Sequence, residues 1–123
     1  MAKEIKIRWL PKPENHDYTA AQSYLSLLYH ESTSAVPVAK LKRAPMVKFQ
    51  AKDIFRASNL SLLGVSNFHV KVDRKKIKSG KALSPLLLIR DPGNGRVIIA
   101  DGYHRLCAVY SYDENAVIPC KIA

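Results

Sequence analysis

Cysteine and long apolar runs are both scarce in this chain of 123 residues. The two cysteines, Cys107 and Cys120, are too few for a disulfide framework, and we expect both thiols to be buried and unreactive. No apolar run approaches the roughly 18 residues that a membrane-spanning helix requires. The segment Met1–Lys6 lacks the apolar region that follows the charges of a secretory signal. These absences predict a cytoplasmic protein with no membrane-embedded part.

Common catalytic and metal-binding motifs are also missing. The sequence has no Walker motif, no dinucleotide fingerprint and no Ser-His-Asp order. Its four histidines have no metal-ligand spacing, and Asp101 with His104 supplies two ligands where a zinc site uses three or four. No carboxylate cluster suits the two metal ions of a common nuclease mechanism. The sequence therefore predicts no resident metal, although magnesium carried by a nucleoside triphosphate needs few protein ligands.

Acidic residues are half as numerous as basic ones, with 10 Asp and Glu against 20 Lys and Arg and a net charge of +10. This excess favours an anionic partner, and nucleic acid is one candidate. The basic residues are concentrated between Lys40 and Arg56 and between Lys71 and Lys81. They form either a phosphate-tracking surface or solvated faces that keep the protein soluble. The candidate nucleic-acid-binding residues are Lys40, Lys42, Arg43, Lys71, Arg74 and Lys76.

The length and composition suit a single folded domain spanning residues 1–123. Apolar and charged residues alternate from Lys3 to Leu10, which predicts a strand in which Trp9 is a core or edge anchor. Asp17 is placed to cap a helix that runs to about His30. The Pro-punctuated stretch from 32 to 45 predicts a mobile or partner-contacting loop. Residues 1–45 then form an N-terminal extension, and residues 46–123 form the core.

Three further segments precede the central part of the chain. Apolar positions from Gln50 to Ser58 share one helical face and predict a short helix. Alternation from Phe68 to Val72 predicts a strand, with His69 facing outward without a partner. Residues 74–79 predict a short helix that Gly80 closes.

Two apolar runs dominate the carboxyl-terminal half, from Pro85 to Ile89 and from Val97 to Ala100. The turn-forming segment Asp91–Gly95 joins them and predicts a hairpin or a close crossover. Both runs lack polar alternation, which is typical of strands buried on both faces. We therefore expect covering layers on both sides of the sheet.

A helix is predicted after Gly102, because apolar and aromatic side chains then follow at helical spacing. His104 and Arg105 fall away from the middle of that stripe, so we expect them to face away from the core. The first N–H groups of a helix have no intrahelical acceptor, so this end is suited to an anion, with Arg105 as a second contact. Alternatively, Asp101 only caps the helix, and Arg105 lies in solvent.

The same residues carry a resemblance to a known family. Gly80–Pro85, the two apolar strands, the box Gly102-Tyr103-His104-Arg105 and the closing segment Val117–Pro119 are similar in order to the ParB/sulfiredoxin-like domain. The resemblance covers roughly residues 68–122. It implies an α+β fold, a small mixed β-sheet with flanking helices.

The resemblance also implies a ligand. Family members hold the phosphates of a nucleoside triphosphate at the box, which points to Gly102, Tyr103, His104 and Arg105 as phosphate contacts. A short helix that often faces the nucleotide adds Lys75, Lys78 and Ser79 as further candidates. Sulfiredoxins have a nucleophilic Cys where this chain has Tyr103, so sulfiredoxin chemistry is not expected. Partition proteins continue into a helix-turn-helix segment that is absent here, so centromere binding in their manner is not expected.

Three functions remain open from the sequence. The first is a nucleotide-phosphate-binding module associated with DNA-related processes, with or without a protein partner. The second is a phosphotransferase or nucleotide hydrolase on the same fold, with Asp101 or His104 as the proton acceptor. The third is a basic nucleic-acid-binding accessory protein that binds no nucleotide. The sequence leaves the oligomeric state open.

Overall fold

A computed structural model of the chain describes residues 6–29 and 31–123. Helices and strands alternate irregularly along it, as expected for an α+β fold. The elements are α1 (Asn15–Leu28), α2 (Glu31–Arg43), β1 (Val47–Gln50), α3 (Ala51–Ser58), α4 (Phe68–Lys78), β2 (Leu86–Asp91), a 3₁₀ turn (Pro92–Asn94), β3 (Arg96–Asp101), α5 (Tyr103–Tyr112) and β4 (Val117–Ile122).

The four strands form one mixed sheet in the order β1-β4-β2-β3. Strand β4 runs parallel to β2 and antiparallel to β1, and β2 and β3 form an antiparallel hairpin. The hairpin closes through the 3₁₀ turn, where Gly95 adopts a positive φ of 64°. The predicted hairpin and its turn are confirmed, as is the α+β class with a mixed sheet.

Helices cover both faces of the sheet, which confirms the prediction from the unbroken apolar strands. Alternate β2 residues enter two different apolar clusters, because successive strand side chains point to opposite faces. Leu86 and Leu88 pack with α3, α4 and α5 on one face. Leu87 and Ile89 pack with α1 and α2 on the other. The segment predicted as an N-terminal extension therefore supplies one of the two covering layers.

Helix α1 is present as predicted, but Asp17 is not its N-cap. Its N-cap is Glu14, and Asp17 lies at the third helical position, where its Oδ2 accepts a hydrogen bond from the Glu14 N–H at 2.8 Å. The two residues form a capping box, which satisfies backbone donors that a helix start leaves open. The predicted end at His30 lies outside the described residues.

The loop predicted for residues 32–45 is wrong, because α2 occupies most of this range. Pro37 lies inside the helix, where it removes a backbone donor and disfavours the helical ladder. Val38 and Leu41 are buried against the sheet and α1, and this tertiary burial outweighs the cost of the proline. Residues 44–46 then lead into β1, which the sequence analysis did not identify.

The strand predicted for residues 68–72 is also wrong, since α4 begins at Phe68 and runs through the separately predicted short helix. Asn67 caps it, with Oδ1 accepting hydrogen bonds from the N–H groups of His69 and Val70 at 3.0 and 3.2 Å. Val70 and Ile77 are buried seven residues apart, on one helical face. The cap and this face stabilise a helix where residue alternation alone predicted a strand.

Several smaller predictions are confirmed. Helix α3 lies where the periodicity placed it, with Ala51 and Ile54 buried. Cys107 and Cys120 are both buried free thiols. Trp9 packs against the core, but its segment makes only one bridge, to Leu83, so the described part of the predicted amino-terminal strand does not join the sheet. In the described part of the chain, no helix is long and apolar enough to cross a membrane.

Candidate phosphate-binding site at the start of α5

Gly102 forms the junction between β3 and α5. Its φ is 108°, a conformation that side-chain-bearing residues rarely adopt, and a Cβ placed there would lie 2.7 Å from Cγ of Leu86. The first intrahelical bond runs from the N–H of Leu106 to the Gly102 carbonyl at 2.9 Å. The preceding N–H groups of Tyr103, His104 and Arg105 have no intrahelical acceptor, and the helix dipole makes this end positive.

Arg105 is largely buried beside this junction, with its side chain 17% exposed. Its Nη2 donates to Oδ2 of Asp101 at 2.8 Å and to the carbonyl oxygen of Pro85 at 3.4 Å. The Nε atom is buried and has no hydrogen-bond partner among the described residues. The expectation that Arg105 faces away from the core is corrected, because its side chain is largely buried against Asp101 and Pro85. The alternative of a solvated Arg105 is excluded for the same reason.

Asp101 binds Arg105 and does not cap α5. Burial raises the pKa of the Asp101 carboxyl, while the charge and hydrogen bond of Arg105 lower it, and nearby Asp17 raises it further. Asp17 itself is buried at the start of α1. The carboxyl groups of Asp101 and Asp17 therefore interact at this corner, while the guanidinium of Arg105 pairs with Asp101 and not with Asp17. The raised pKa of Asp101 weakens its hold on Arg105 as the pH falls.

A cavity of about 220 Å³ separates α4 from the start of α5. One wall comes from the side of α4 that carries positions 69, 72, 73 and 76, and the other comes from the end of β3 and the first turn of α5. The lining residues are His69, Val72, Asp73, Lys76, Asp101, Gly102, Tyr103, His104 and Arg105. The whole predicted phosphate-binding box thus borders one cavity.

Two histidine rings lie next to each other at this cavity, with the centroids of His69 and His104 4.7 Å apart and their planes tilted by 42°. Burial lowers the pKa of His104, His69 and Arg105 lower it further, and the carboxylate of Asp73 opposes the shift. A neutral imidazole offers one N–H donor and one nitrogen acceptor. His104 is therefore suited to donate a hydrogen bond to an anion or to accept a proton at neutral pH. His69 is exposed as predicted, but it has a neighbour that the sequence did not reveal.

Asp73 and Lys76 form the α4 side of the site. Nζ of Lys76 lies 3.8 Å from Oδ1 of Asp73, and Asp73 is 8% exposed. Burial raises the pKa of the Asp73 carboxyl against the lowering effect of Lys76, Arg105 and His104. Lys76 is half-exposed, so its ammonium can turn toward an anion in the cavity. Lys76 thus lies in this cavity, although the sequence analysis assigned it to a nucleic-acid surface.

The other predicted α4 ligands lie elsewhere. Lys75 and Lys78 share a separate shallow depression with Lys71 and Arg74, on the outward side of the helix. Ser79 is the C-cap of α4, and its hydroxyl donates to the carbonyl oxygen of Lys76 at 3.1 Å. None of these three predicted nucleotide contacts lines the cavity.

The basic residues of the first stretch lie away from the cavity beside α5 and from the depression on α4. Lys42 lies over the ring of Tyr18 at 5.7 Å, in a cavity between α1 and α2. Lys40 borders a different depression, beside Pro37 and Arg90. Arg43 is exposed in the last turn of α2. Lys40 and Lys42 therefore border different cavities from the basic residues of α4.

The sequence analysis missed His69 and Asp73 as neighbours of the box. Helical spacing puts positions 69, 73 and 76 on one face, and that signal was lost when residues 68–72 were taken as a strand. In the described residues, no group of three or more His, Cys, Asp and Glu side chains is placed to hold a metal ion. The arrangement offers cations, an imidazole pair and helix amides, which together suit an oxyanion.

The chain matches no protein-family model, no curated protein and no solved structure.

Proposed function

We propose that this protein is a nucleotide-phosphate-binding module with a ParB/sulfiredoxin-like fold, acting in the cytoplasm in a DNA-related process. The observation that carries the proposal is the opening of α5 onto a cavity bordered by Arg105, Lys76 and His104. Open helix amides and nearby cations are the groups that bind phosphate in proteins. The resemblance of the Gly102–Arg105 box to the family's phosphate-binding box supports the same ligand.

The size of the cavity suits the phosphate part of a nucleotide. Its 220 Å³ is below the range of about 300–1,000 Å³ for pockets that enclose a whole small ligand. The sugar and base then lie outside it, toward solvent. Recognition by amides and cations carries no base information, so the proposal specifies the phosphates and leaves the base open.

Arg105 must change partners for a phosphate to bind it fully. In the structure its guanidinium bonds to Asp101, which holds the position of an anionic ligand. A phosphate that approaches the start of α5 competes with this carboxylate for the Nη2 atom of Arg105. Protonation of Asp101, whose pKa is raised by burial, removes the competitor. Nucleotide affinity is therefore expected to increase as the pH falls through that raised pKa.

Magnesium would enter with the triphosphate. Asp73 and Asp101 are the carboxylates at the cavity, and each already faces a cation. Because both carboxylates are already paired, the ion would be held mainly by waters and phosphate oxygens, which is the usual state of magnesium. The ion would neutralise phosphate charge, and the protein residues would orient the phosphates.

The first experiment measures melting temperature with nucleoside triphosphates, with and without magnesium. A ligand at 100 times its Kd stabilises a native protein by about 2.7 kcal/mol, which raises Tm of a domain of this size by about 10 °C. Arg105→Ala should abolish the ligand-dependent shift. The matched control is Arg96→Ala, which removes an Arg–Asp pair, with Asp91, at the other end of the same hairpin. An equal loss in both variants, or no shift in the native protein, contradicts the proposal.

A second variant tests the competition at Arg105. Asp101→Asn keeps the side-chain shape but removes the negative charge that holds Arg105. We expect tighter nucleotide binding together with a lower Tm of the unliganded protein. Loss of nucleotide binding in Asp101→Asn would show that the carboxylate supports binding and does not compete with it.

A nucleotide hydrolase is a second candidate, favoured by the lowered pKa of His104. A neutral His104 is able to accept a proton from a water that attacks the terminal phosphate, with the nucleoside diphosphate as leaving group. This candidate predicts phosphate release that His104→Gln slows while nucleotide binding persists. Binding without any phosphate release, across several nucleotides with magnesium, leaves the binding module as the function.

A further inference from the structure

The outward side of α4 carries a row of basic residues that the nucleotide proposal does not use. Lys71, Arg74, Lys75 and Lys78 follow one another at helical spacing and line one open depression of about 350 Å³ with Val65. The three lysines are exposed, and Arg74 is half-buried. This row lies on a different side of the helix from the face that borders the cavity.

The row has no acidic counterpart within the described part of the chain. None of its four side chains lies within 4.0 Å of a carboxylate there, whereas Lys76 on the other side is paired with Asp73. Four uncompensated cations over two helical turns produce a local positive potential. That potential favours a ligand with several regularly spaced negative charges.

Arg74 is held in place by its own neighbours. Its guanidinium lies over the ring of Tyr112 at 4.1 Å, and Nη1 donates to the hydroxyl of Ser111. A guanidinium fixed in this way loses less conformational freedom when it meets a phosphate. The row is thus partly preorganised by α5.

An exposed aromatic residue stands at the start of the row. Phe68 is 71% exposed, and it precedes Lys71 by three residues and Lys75 by seven, on the same helical face. Its ring lies nearly perpendicular to that of His69, with centroids 5.5 Å apart. An exposed aromatic ring beside a row of cations is the combination that binds single-stranded nucleic acid, where bases stack on rings and phosphates meet cations.

We propose that the outward face of α4, from Phe68 to Lys78, binds single-stranded nucleic acid. The four cations from Lys71 to Lys78 span about 10 Å along the helix, and each can contact one phosphate of a flexible strand, up to four in all. Phe68 stacks on an unpaired base, which a duplex does not offer. The contacts follow the backbone and do not read the base sequence.

The test is fluorescence anisotropy with a labelled 20-nucleotide oligothymidine and a duplex of equal length. We expect the single strand to bind more tightly than the duplex. Replacing the four cations together by Gln (Lys71, Arg74, Lys75 and Lys78) should weaken binding at least about tenfold and reduce the slope of log affinity against log salt by about 3. The matched control replaces Lys40, Arg43, Lys48 and Lys52 by Gln and removes the same charge elsewhere. An equal loss in the control overturns the proposal, because binding then depends on net charge alone.

Phe68 provides a second, independent readout. Phe68→Ala should weaken binding of the single strand by about tenfold at constant salt slope, and Phe68→Tyr, which keeps the ring, should restore it. Both changes are on the surface, and an unchanged Tm verifies the fold. Duplex binding equal to or tighter than single-strand binding overturns the proposal. Binding to vesicles that contain an anionic lipid, with no binding to the oligonucleotide, also overturns the proposal.

Arg105→Ala should leave oligonucleotide binding intact. Failure of this proposal and failure of the nucleotide proposal are therefore separate results.

Discussion

The most direct test of the β3–α5 junction is the substitution Gly102→Ala. The new methyl group lowers the stability of the fold in two ways. The first is conformational, because φ of 108° lies in a region that residues with a side chain rarely adopt, at a cost of about 1–3 kcal/mol. The second is steric, because the Cβ would lie 2.7 Å from Cγ of Leu86 and 3.0 Å from Nη2 of Arg105. Overpacking of this kind costs about 1–3 kcal/mol.

Two other glycines separate these costs. Gly80 has a φ of 77° with nothing within 4 Å of a built Cβ, so Gly80→Ala carries the conformational cost alone, about 1–2 kcal/mol. Gly93 is equally open and does not have a positive φ, so Gly93→Ala should be neutral or slightly stabilising. Gly102→Ala combines both costs, and we expect a loss of about 4 kcal/mol in the free energy of unfolding.

The assay is equilibrium unfolding in urea, with native and variant proteins compared at a common m-value. We expect Gly93→Ala to be the most stable of the three variants, Gly80→Ala to be intermediate and Gly102→Ala to be the least stable. A loss of about 4 kcal/mol is a large part of the unfolding free energy of a typical domain, which is about 5–15 kcal/mol. The Gly102→Ala variant should therefore be only marginally stable. If Gly102→Ala is no less stable than Gly80→Ala, the close packing of Gly102 against Leu86 is refuted.

Three further predictions concern α4, the imidazole pair and the thiols. Asn67→Ala should lower the free energy of unfolding by about 1 kcal/mol, because two N–H groups lose their acceptor; unchanged urea stability would contradict this. The pKa of His104 is lowered, so its contribution to stability is present above the ordinary value of 6.5 and is lost as the pH falls through the folded-state pKa. His104→Gln should therefore flatten the loss of Tm on acidification below pH 6.5, and parallel pH curves would refute this. Burial raises the pKa of Cys107 and brings that of Cys120 to about 11, so Ellman's reagent should react slowly with the native protein and fast in urea; fast native reaction would disprove it.

Local sequence signals predicted residues 85–112 well. The turn around Pro92 and Gly93 is determined by residues adjacent in the chain, and the two apolar strands on either side have no polar face. The helix after Gly102 follows from a change in apolar period at a glycine. Such signals depend on residues that are adjacent in the chain, so tertiary contacts with distant segments do not alter them.

The two wrong segments failed because tertiary contacts outweighed local patterns. Pro37 and the surrounding polar residues indicated a loop, but burial of Val38 and Leu41 stabilises α2. Alternation of Phe68, Val70 and Val72 imitated a strand, although Phe68 is mostly exposed in the helix. Asn67 and the seven-residue spacing of the buried α4 positions were the available signals for that helix.

The candidate site was predicted only in part for the same reason. The Gly102–Arg105 box is contiguous in the chain, and its place at the start of a helix followed from the sequence. The proximity of the His69 and His104 rings depends on how α4 packs against α5, which no local pattern reveals. Asp101 and Arg105 are four residues apart, a spacing that is typical of ion pairs within a helix. Because Asp101 lies before the helix, this spacing did not predict the pair.

The claim that α5 opens onto a phosphate site is tested most directly by amide chemical shifts in a titration with a nucleoside triphosphate. The account predicts that the backbone N–H signals of Tyr103, His104 and Arg105 shift most, and that the corresponding nucleoside without phosphates leaves them in place. Shifts confined to the outward face of α4, or equal shifts with the unphosphorylated nucleoside, would contradict it.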